Sequence, residues 1–173
     1  MAIDRHVVLI GFMGSGKTTV GERVSAQLDV PSYDTDALIT ALAGRTTRQL
    51  FELEGEDGFR LREAKALETL LDQEHGIIAT GGGIVTTALG RHILENSMQQ
   101  IVWLGTDFST ARDRVLQDPT DRPLFDDEAD AERLFDERYP LYERAATTYI
   151  NANLETDVVT SAVKAVAKTP SSL

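Results

Sequence analysis

Three features of the sequence predict an α/β fold with a parallel sheet covered by helices on both faces. Short apolar runs alternate with stretches of helical periodicity along all 173 residues. The runs are continuous rather than alternating apolar with polar, which is the pattern of strands buried on both sides. The first run, residues 6–10, ends at once in Gly11-Phe12-Met13-Gly14-Ser15-Gly16-Lys17-Thr18, a complete GxxxxGK[ST] phosphate-binding loop that opens a helix.

That loop is the chemical centre of the chain. Its glycines let successive backbone N–H groups converge on phosphate oxygens, Lys17 adds a charge that reaches the β- and γ-phosphates, and Thr18 offers a hydroxyl to Mg²⁺. Gly14, Ser15, Gly16, Lys17, Thr18 and Thr19 are therefore the residues expected to bind a nucleoside triphosphate, which the family resemblance given below makes ATP. Val20, Val24 and Leu28 follow on one helical face, so the positive end of the helix dipole also faces the phosphates.

Composition narrows the class. With 42% hydrophobic and 26% charged residues the chain reads as one globular domain, residues 1–173. It has no cysteine, which rules out disulfides and thiolate metal sites. A net charge of −11 repels a nucleic-acid backbone, so arginines in the right places are expected to serve a small anionic ligand. Residues 1–5 lead straight into the first strand, leaving no room for a signal peptide, and no apolar run approaches the roughly 18 residues of a membrane span. A cytoplasmic enzyme with no membrane association is the expectation.

After the first helix, Asp29-Val30-Pro31 ends the segment and residues 32–36 form a short strand tip. Residues 37–43 read as a helix with Gly44 as its C-cap. Asp34 and Asp36, one residue apart just past a strand, can set one acid at a metal and the other at a substrate. Taken as an isolated pair, the simpler reading makes Asp36 the N-cap of the helix that follows. Residues 46–55 read as a short capped helix and residues 56–73 as a longer one, with Phe59, Ala66, Leu67, Leu70 and Leu71 as its apolar stripe. Arg60 and Arg62 near its start sit at the wrong end of the helix dipole unless an anionic ligand, or an acid such as Glu56 or Glu63, is close.

Residues 77–80 are a buried strand running into Gly81-Gly82-Gly83. Three glycines at the carboxyl edge of a sheet suit a backbone that turns tightly or approaches a ligand. A helix over 87–95 leads to a strand over 100–104, and Asp107 caps a helix that continues through Val115 and Leu116. Residues 117–130 are polar, proline-punctuated and non-periodic, the composition of a mobile loop. Its arginine, Arg122, is either a surface ion pair or, in a kinase, the charge that a closing lid delivers to the transferring phosphate. Helix returns over 131–138, is interrupted at Tyr139-Pro140 and resumes over 141–147. Residues 149–152 form the last strand, and residues 157–168 the final helix, with Val158, Val159, Ala162, Val163 and Val166 on its buried side.

Together these separated motifs resemble the shikimate kinase family over nearly the whole chain. GFMGSGKTTVG at the phosphate loop, YDTD with Asp34 and Asp36, FELEGEDGFR ending at Arg60, the triple glycine, RPL at Arg122 and RYPLYERAA from Arg138 follow in the family's order and at its distances. The resemblance implies a nucleoside-monophosphate-kinase-like P-loop fold with five parallel strands in the order 2-3-1-4-5, a substrate-binding region near residues 34–62 and an inserted lid near residues 117–130. It implies transfer of the γ-phosphate of ATP, with Mg²⁺, to the 3-hydroxyl of shikimate, giving shikimate 3-phosphate and ADP on the route to chorismate and aromatic amino acids. The expected partners are ATP and shikimate, and the expected state is a cytoplasmic monomer.

Residue by residue, the resemblance makes Lys17, Asp36 and Arg122 catalytic. Thr18 and Asp34 would hold Mg²⁺, and Arg122 would close over the ATP phosphates. Asp36 would bind substrate hydroxyls, Arg60 and Arg138 the substrate carboxylate, and Gly82 and Gly83 the substrate ring. Two guanidinium forks suit a planar carboxylate better than two lysines would. Glu63 matches an acid that orients Arg60, while Phe51 and Phe59 match an apolar pocket wall and are equally suited to ordinary core packing.

The chain departs from the family pattern in reading RPLF where RPLL is common and in a longer stretch from Arg112 to Arg122. The adenine-stacking arginine is therefore Arg112 or Arg114, and the adenine loop near Asn153 is unassigned. Two other readings remain: a related kinase acting on gluconate, and a silent nucleotide-binding regulator. The regulator is expected to lack Lys17, Asp34, Asp36 or the arginines, and this chain retains all of them.

Overall fold

In the computed structural model, which describes residues 3–117 and 127–170, the first apolar run becomes β1 (Val7–Ile10), four buried residues whose side chains alternate between the two faces of a sheet. Val8 and Ile10 enter one core cluster, and Val7 and Leu9 enter another. The sheet has five strands, each parallel to its neighbours, in the order β2-β3-β1-β4-β5, with β2 at Ser32–Asp34, β3 at Ile77–Ala79, β4 at Gln100–Gly105 and β5 at Thr148–Asn151. This is the order the family resemblance implied. Val7 lies opposite Ile77 on one side and Gln100 on the other, so β1 occupies the centre.

Helices α1 (Lys17–Leu28) and α7 (Thr156–Ala167) cover one face, through Val20, Val24, Leu28, Val159 and Val163. The other face is covered by α3 (Thr47–Leu71), α4 (Ala88–Asn96), α5 (Phe108–Gln117) and α6 (Glu128–Ala145), through residues such as Leu67, Ile93, Val115 and Tyr142. Helix α2 (Thr35–Ala43) packs with the start of α3 over a small third cluster around Ile39, Leu50 and Phe59.

Sequence signals account for several helix ends. Gly44 caps α2 in the left-handed conformation, with φ 60°. Thr46 and Gln49 form a reciprocal capping box at the start of α3. The two expected helices over 46–73 meet at Gly55, whose φ of 70° and ψ of −179° break the helical path. Thr87 and Asp107 accept hydrogen bonds from the N–H groups of Gly90 and Thr110 at the starts of α4 and α5.

Two expectations need correction. Asp34, not Asp36, caps α2: its Oδ1 accepts from the N–H groups of Asp36 and Ala37 at 2.9 and 3.1 Å, so the helix begins two residues earlier than read and Asp36 lies in its first turn. Helix α6 is not interrupted at Tyr139-Pro140. It begins at Glu128, capped by Asp127, and runs through Pro140 to Ala145. A proline costs such a helix one hydrogen bond and some strain. Here Pro140 and Asp136, whose carbonyl loses its donor, lie on the exposed side, while Arg138 and Tyr142 are buried on either side of the proline in sequence. Tertiary packing of those two residues outweighs the local penalty. Arg122 and most of the expected lid fall at 118–126, outside the described residues. Among the described residues no helix is long and apolar enough to cross a membrane.

Candidate active site

The carboxyl ends of β1, β2 and β3 each lead directly into candidate site residues, at the edge where open α/β sheets bind ligands. The turn after β1 needs glycine at Gly14 and Gly16, where φ is 78° and 88°, and a Cβ on Gly14 would come within 2.4 Å of the Ala111 carbonyl oxygen. Gly16 is also the N-cap of α1 and supplies no side-chain cap, so the unpaired N–H groups of the first turn remain directed at the loop. Lys17 folds across this loop. Its Nζ donates to the Gly11 and Phe12 carbonyls at 2.8 and 2.9 Å and to Ser15 Oγ at 3.3 Å.

A cavity of about 700 Å³ opens here, lined by residues 13–20 of the loop and helix start together with Asp34, Asp36, Gly82 and Arg114. Its size suits a nucleotide with a small acceptor. Thr18 Oγ1 donates to Asp34 Oδ2 at 2.8 Å, which puts a hydroxyl and a carboxylate side by side at the cavity wall. Among the described residues there is no group of three acidic or histidine side chains poised around a single point.

Asp36 lies deeper. Its Oδ1 is buried without a hydrogen-bond partner among the described residues. Burial, then the carboxylates of Glu63 and Asp34, push its pKa up to about 7 against the opposing pull of Lys17 and Arg60. A buried acid held near neutral pH and aimed into a cavity is suited to proton transfer.

Behind Asp36 lies a cluster of charge. Arg60 Nη1 donates to Glu63 Oε2 at 2.6 Å, and both side chains are buried. Burial opposes the charge on Arg60, but Glu63 and Glu56 outweigh it and raise the guanidinium pKa. Burial likewise raises Glu63, while Arg60 and Arg138 pull it back. Phe51 and Phe59 brace the cation, with ring centroids 5.7 and 5.9 Å from Arg60 Cζ. Arg138, from helix α6 on the same face of the sheet, is also buried. Its Nη2 lies 3.6 Å from Glu56 Oε1, and its Nε has no partner among the described residues.

The triple glycine has a steric cause that sequence reading missed. A Cβ on Gly81 would lie 1.9 Å from Glu63 Oε1 and 2.8 Å from Asp36 Oδ1, and a Cβ on Gly83 would lie 2.0 Å from Arg60 Nη1. The first glycine makes room for two acids and the third for the guanidinium. Gly82 is different: a Cβ there would make ordinary contacts of 3.5 to 3.6 Å. Its carbonyl accepts a hydrogen bond from the buried Tyr142 hydroxyl at 2.5 Å. Tyr142 was not singled out from sequence, although it stands four residues after Arg138 on the same helix face.

Arg112 and Arg114, the two candidates for the adenine side, are placed differently. Arg114 lines the cavity and donates to the carbonyls of Gly14 and Ala152 at 3.3 and 2.9 Å. Arg112 is instead paired with Asp113 and Glu128. Asn153 Oδ1 accepts from Thr106 Oγ1 and the Asp107 N–H, which ties the turn after β5 to the turn after β4 beside the cavity. Thus the structure brings the phosphate loop, Asp34, Asp36 and Gly82 to one cavity and sets Arg60, Arg138 and Gly83 just behind it.

Comparison with known proteins agrees with this geometry. A family model described as Shikimate kinase matches residues 13–167. The shikimate kinase of Legionella pneumophila is 39% identical over 166 residues, covering 94% of this chain and 90% of that protein. The structure of shikimate kinase from Acinetobacter baumannii in complex with shikimate superposes with a TM-score of 0.86 at 33% identity, over 94% of this chain and 92% of that one. A gluconokinase from Sinorhizobium meliloti, at 15% identity and a TM-score of 0.64, shares the fold. With the family model spanning most of its length and relatives this similar along nearly all of it, the chain belongs to the shikimate kinase family.

Proposed function

We propose that the chain transfers the γ-phosphate of ATP to the 3-hydroxyl of shikimate, releasing ADP and shikimate 3-phosphate. One observation carries the reading: two buried arginines, far apart in sequence, converge on one carboxylate oxygen, that of Glu56, and one of them, Arg60, also acts electrostatically on Asp36, whose buried oxygen lacks a partner among the described residues. An acceptor with a carboxylate at one end and a hydroxyl toward the phosphate loop fits that arrangement.

In the reaction the 3-hydroxyl oxygen forms a bond to the γ-phosphorus as the bond from phosphorus to the bridging β,γ-oxygen breaks. Phosphoryl transfer proceeds through a loose transition state, so positioning and charge stabilisation dominate. Asp36 orients the attacking hydroxyl, and its raised pKa equips it to take the proton late in the transfer. Arg60 and Arg138 grip the carboxylate, and the Gly82 and Gly83 backbone flanks the ring. Lys17 and the N–H groups from Gly14 to Thr19 stabilise negative charge on the phosphates. Arg114 serves as the adenine-side arginine. Arg122 closes over the phosphates from the lid, a role resting on the family resemblance.

Thr18 and Asp34 fit Mg²⁺, since a hard cation that keeps phosphate and water oxygens needs only one or two protein oxygens. When bound, Mg²⁺ neutralises charge on the β- and γ-phosphates. The polar substrates, and a surface of net charge −11 that disfavours nucleic acid, are consistent with a cytoplasmic small-molecule enzyme.

Calorimetric titration tests the carboxylate grip. Shikimate should bind the unsubstituted protein and bind Arg138→Ala at least tenfold more weakly, roughly the loss of one buried charge-assisted contact. Equal affinity in the two proteins would refute the assignment.

A further inference from the structure

The carboxylate that Arg60 and Arg138 share in this structure is the chain's own. Glu56 Oε1 accepts from Arg60 Nε and Nη2 at 3.2 and 2.8 Å and lies 3.6 Å from Arg138 Nη2. The two arginine side chains are 5% and 3% exposed, whereas that of Glu56 is 49% exposed. Glu56 therefore covers the guanidiniums from the solvent side.

Glu63 holds Arg60 differently. It is buried, 2.6 Å from Nη1, and wedged against Gly81 where no Cβ would fit, so it has nowhere to go. Two cations are thus balanced by two carboxylates, one fixed and one at the surface. An acid substrate gripped by both arginines brings a third carboxylate to two guanidiniums. One must then leave, and the half-exposed Glu56 does so with the smallest change in solvation. Its backbone need not move. The bidentate pair of Arg62 with Glu54, at 2.7 and 2.6 Å, ties the two sides of the Gly55 kink together, so a rotation of the Glu56 side chain is sufficient.

We propose that Glu56 is a placeholder for the substrate carboxylate. It keeps two buried cations paired, keeps small anions off them, and turns to solvent when the acid substrate takes its place. Specificity follows, because a ligand must make enough further contacts, through hydroxyls at Asp36 for example, to offset displacing Glu56. The inference rests on the reading of Arg60 and Arg138 as a carboxylate grip.

The test is calorimetric titration of shikimate and, separately, of benzoate, a ring carboxylate without hydroxyls, into the unsubstituted protein, Glu56→Gln and Glu56→Asp. An internal competitor lowers apparent affinity by the fraction of time the site is free, so Glu56→Gln should bind both acids about three- to tenfold more tightly. MgATP affinity should not change. Glu56→Asp keeps the charge but is too short to span both arginines, and it should shift both affinities in the same direction. Unchanged or weaker benzoate binding in Glu56→Gln would overturn the proposal, as would a Glu56→Asp protein indistinguishable from the unsubstituted one, which would mean long-range charge alone is at work. Failure of the substrate reading looks different: shikimate would then bind no better than benzoate to any of the three proteins, while the benzoate shift persisted.

Discussion

Thr18 donates its hydroxyl to Asp34 Oδ2 across 2.8 Å, joining the first turn of α1 to the end of β2, while the other oxygen of Asp34 caps α2. One side chain thus caps a helix with one oxygen and meets the Thr18 hydroxyl at the cavity wall with the other. Asn at this position can still cap, so Asp34→Asn should stay within about 0.5 kcal/mol of the parent in urea unfolding, whereas Asp34→Ala should lose about 1 kcal/mol. Both should need more Mg²⁺ for half-maximal turnover. An Asp34→Asn protein with the parent's Mg²⁺ dependence would remove Asp34 from the metal site.

Asp36, with its pKa pushed up to about 7 chiefly by burial, is in its carboxylate form only as pH rises through that value. The kcat/KM for the acceptor should therefore climb roughly tenfold per unit below neutrality and level off above it. The same shift bears on stability. Between the unfolded pKa of 3.8 and the folded value near 7 the native state holds the extra proton, so the contribution of this group is full below the first and is lost as pH rises through the second. Asp36→Asn should then be more stable than the parent at pH 8, by an amount on the order of a few kcal/mol, with the gap narrowing toward pH 5. It should bind ATP and transfer nothing. Denaturant unfolding at the two pH values checks the sign, and a gap that widens on acidification would contradict the account of Asp36.

The three glycines after β3 should not behave alike. Gly83→Ala sets a methyl 2.0 Å from Arg60 Nη1 and should displace that guanidinium, abolishing shikimate binding while leaving ATP binding intact. Gly82→Ala meets neighbours only at 3.5 Å and beyond and should fold normally, with its effect confined to the acceptor's KM. Equal loss of acceptor binding in both variants would show that the loop acts through its backbone path and not through room for Arg60.

Tyr142 donates to the Gly82 carbonyl from a fully buried position, linking the helix that carries Arg138 to the triple-glycine loop. Tyr142→Phe removes the donor and leaves a carbonyl without its partner, at a cost of about 1–3 kcal/mol. A thermal melt reads that cost. The KM for shikimate should rise while the KM for ATP holds, and a change in ATP affinity of the same size would mark Tyr142 as part of the general scaffold.

Legibility in the sequence followed distance along the chain. The phosphate loop was readable because Gly14, Gly16, Lys17 and Thr18 act within a few residues of one another, and the sheet because apolar runs such as residues 7–10 declare burial on both faces. The convergence of Arg60 and Arg138 on one carboxylate depends on how α3 and α6 cross, which no local pattern encodes, and only the family resemblance paired them. The reason for Gly81 and Gly83 lies in Glu63 and Arg60, residues of helix α3 far off in sequence. Pro140 read as a helix break because the local penalty is visible in sequence, whereas the packing of Tyr142 that outweighs it is not. Asp36 read as a cap for the same reason: one oxygen of Asp34, two residues earlier, holds the first turn instead.

The most direct test of the central claim is the initial rate of ADP release from MgATP by the purified protein with shikimate, with gluconate and with no acceptor. The site described here predicts release that depends on shikimate, with gluconate near the rate seen without acceptor. Release that gluconate supports equally well, or that needs no acceptor at all, would contradict the assignment of Arg60, Arg138 and Asp36 as a shikimate receptor.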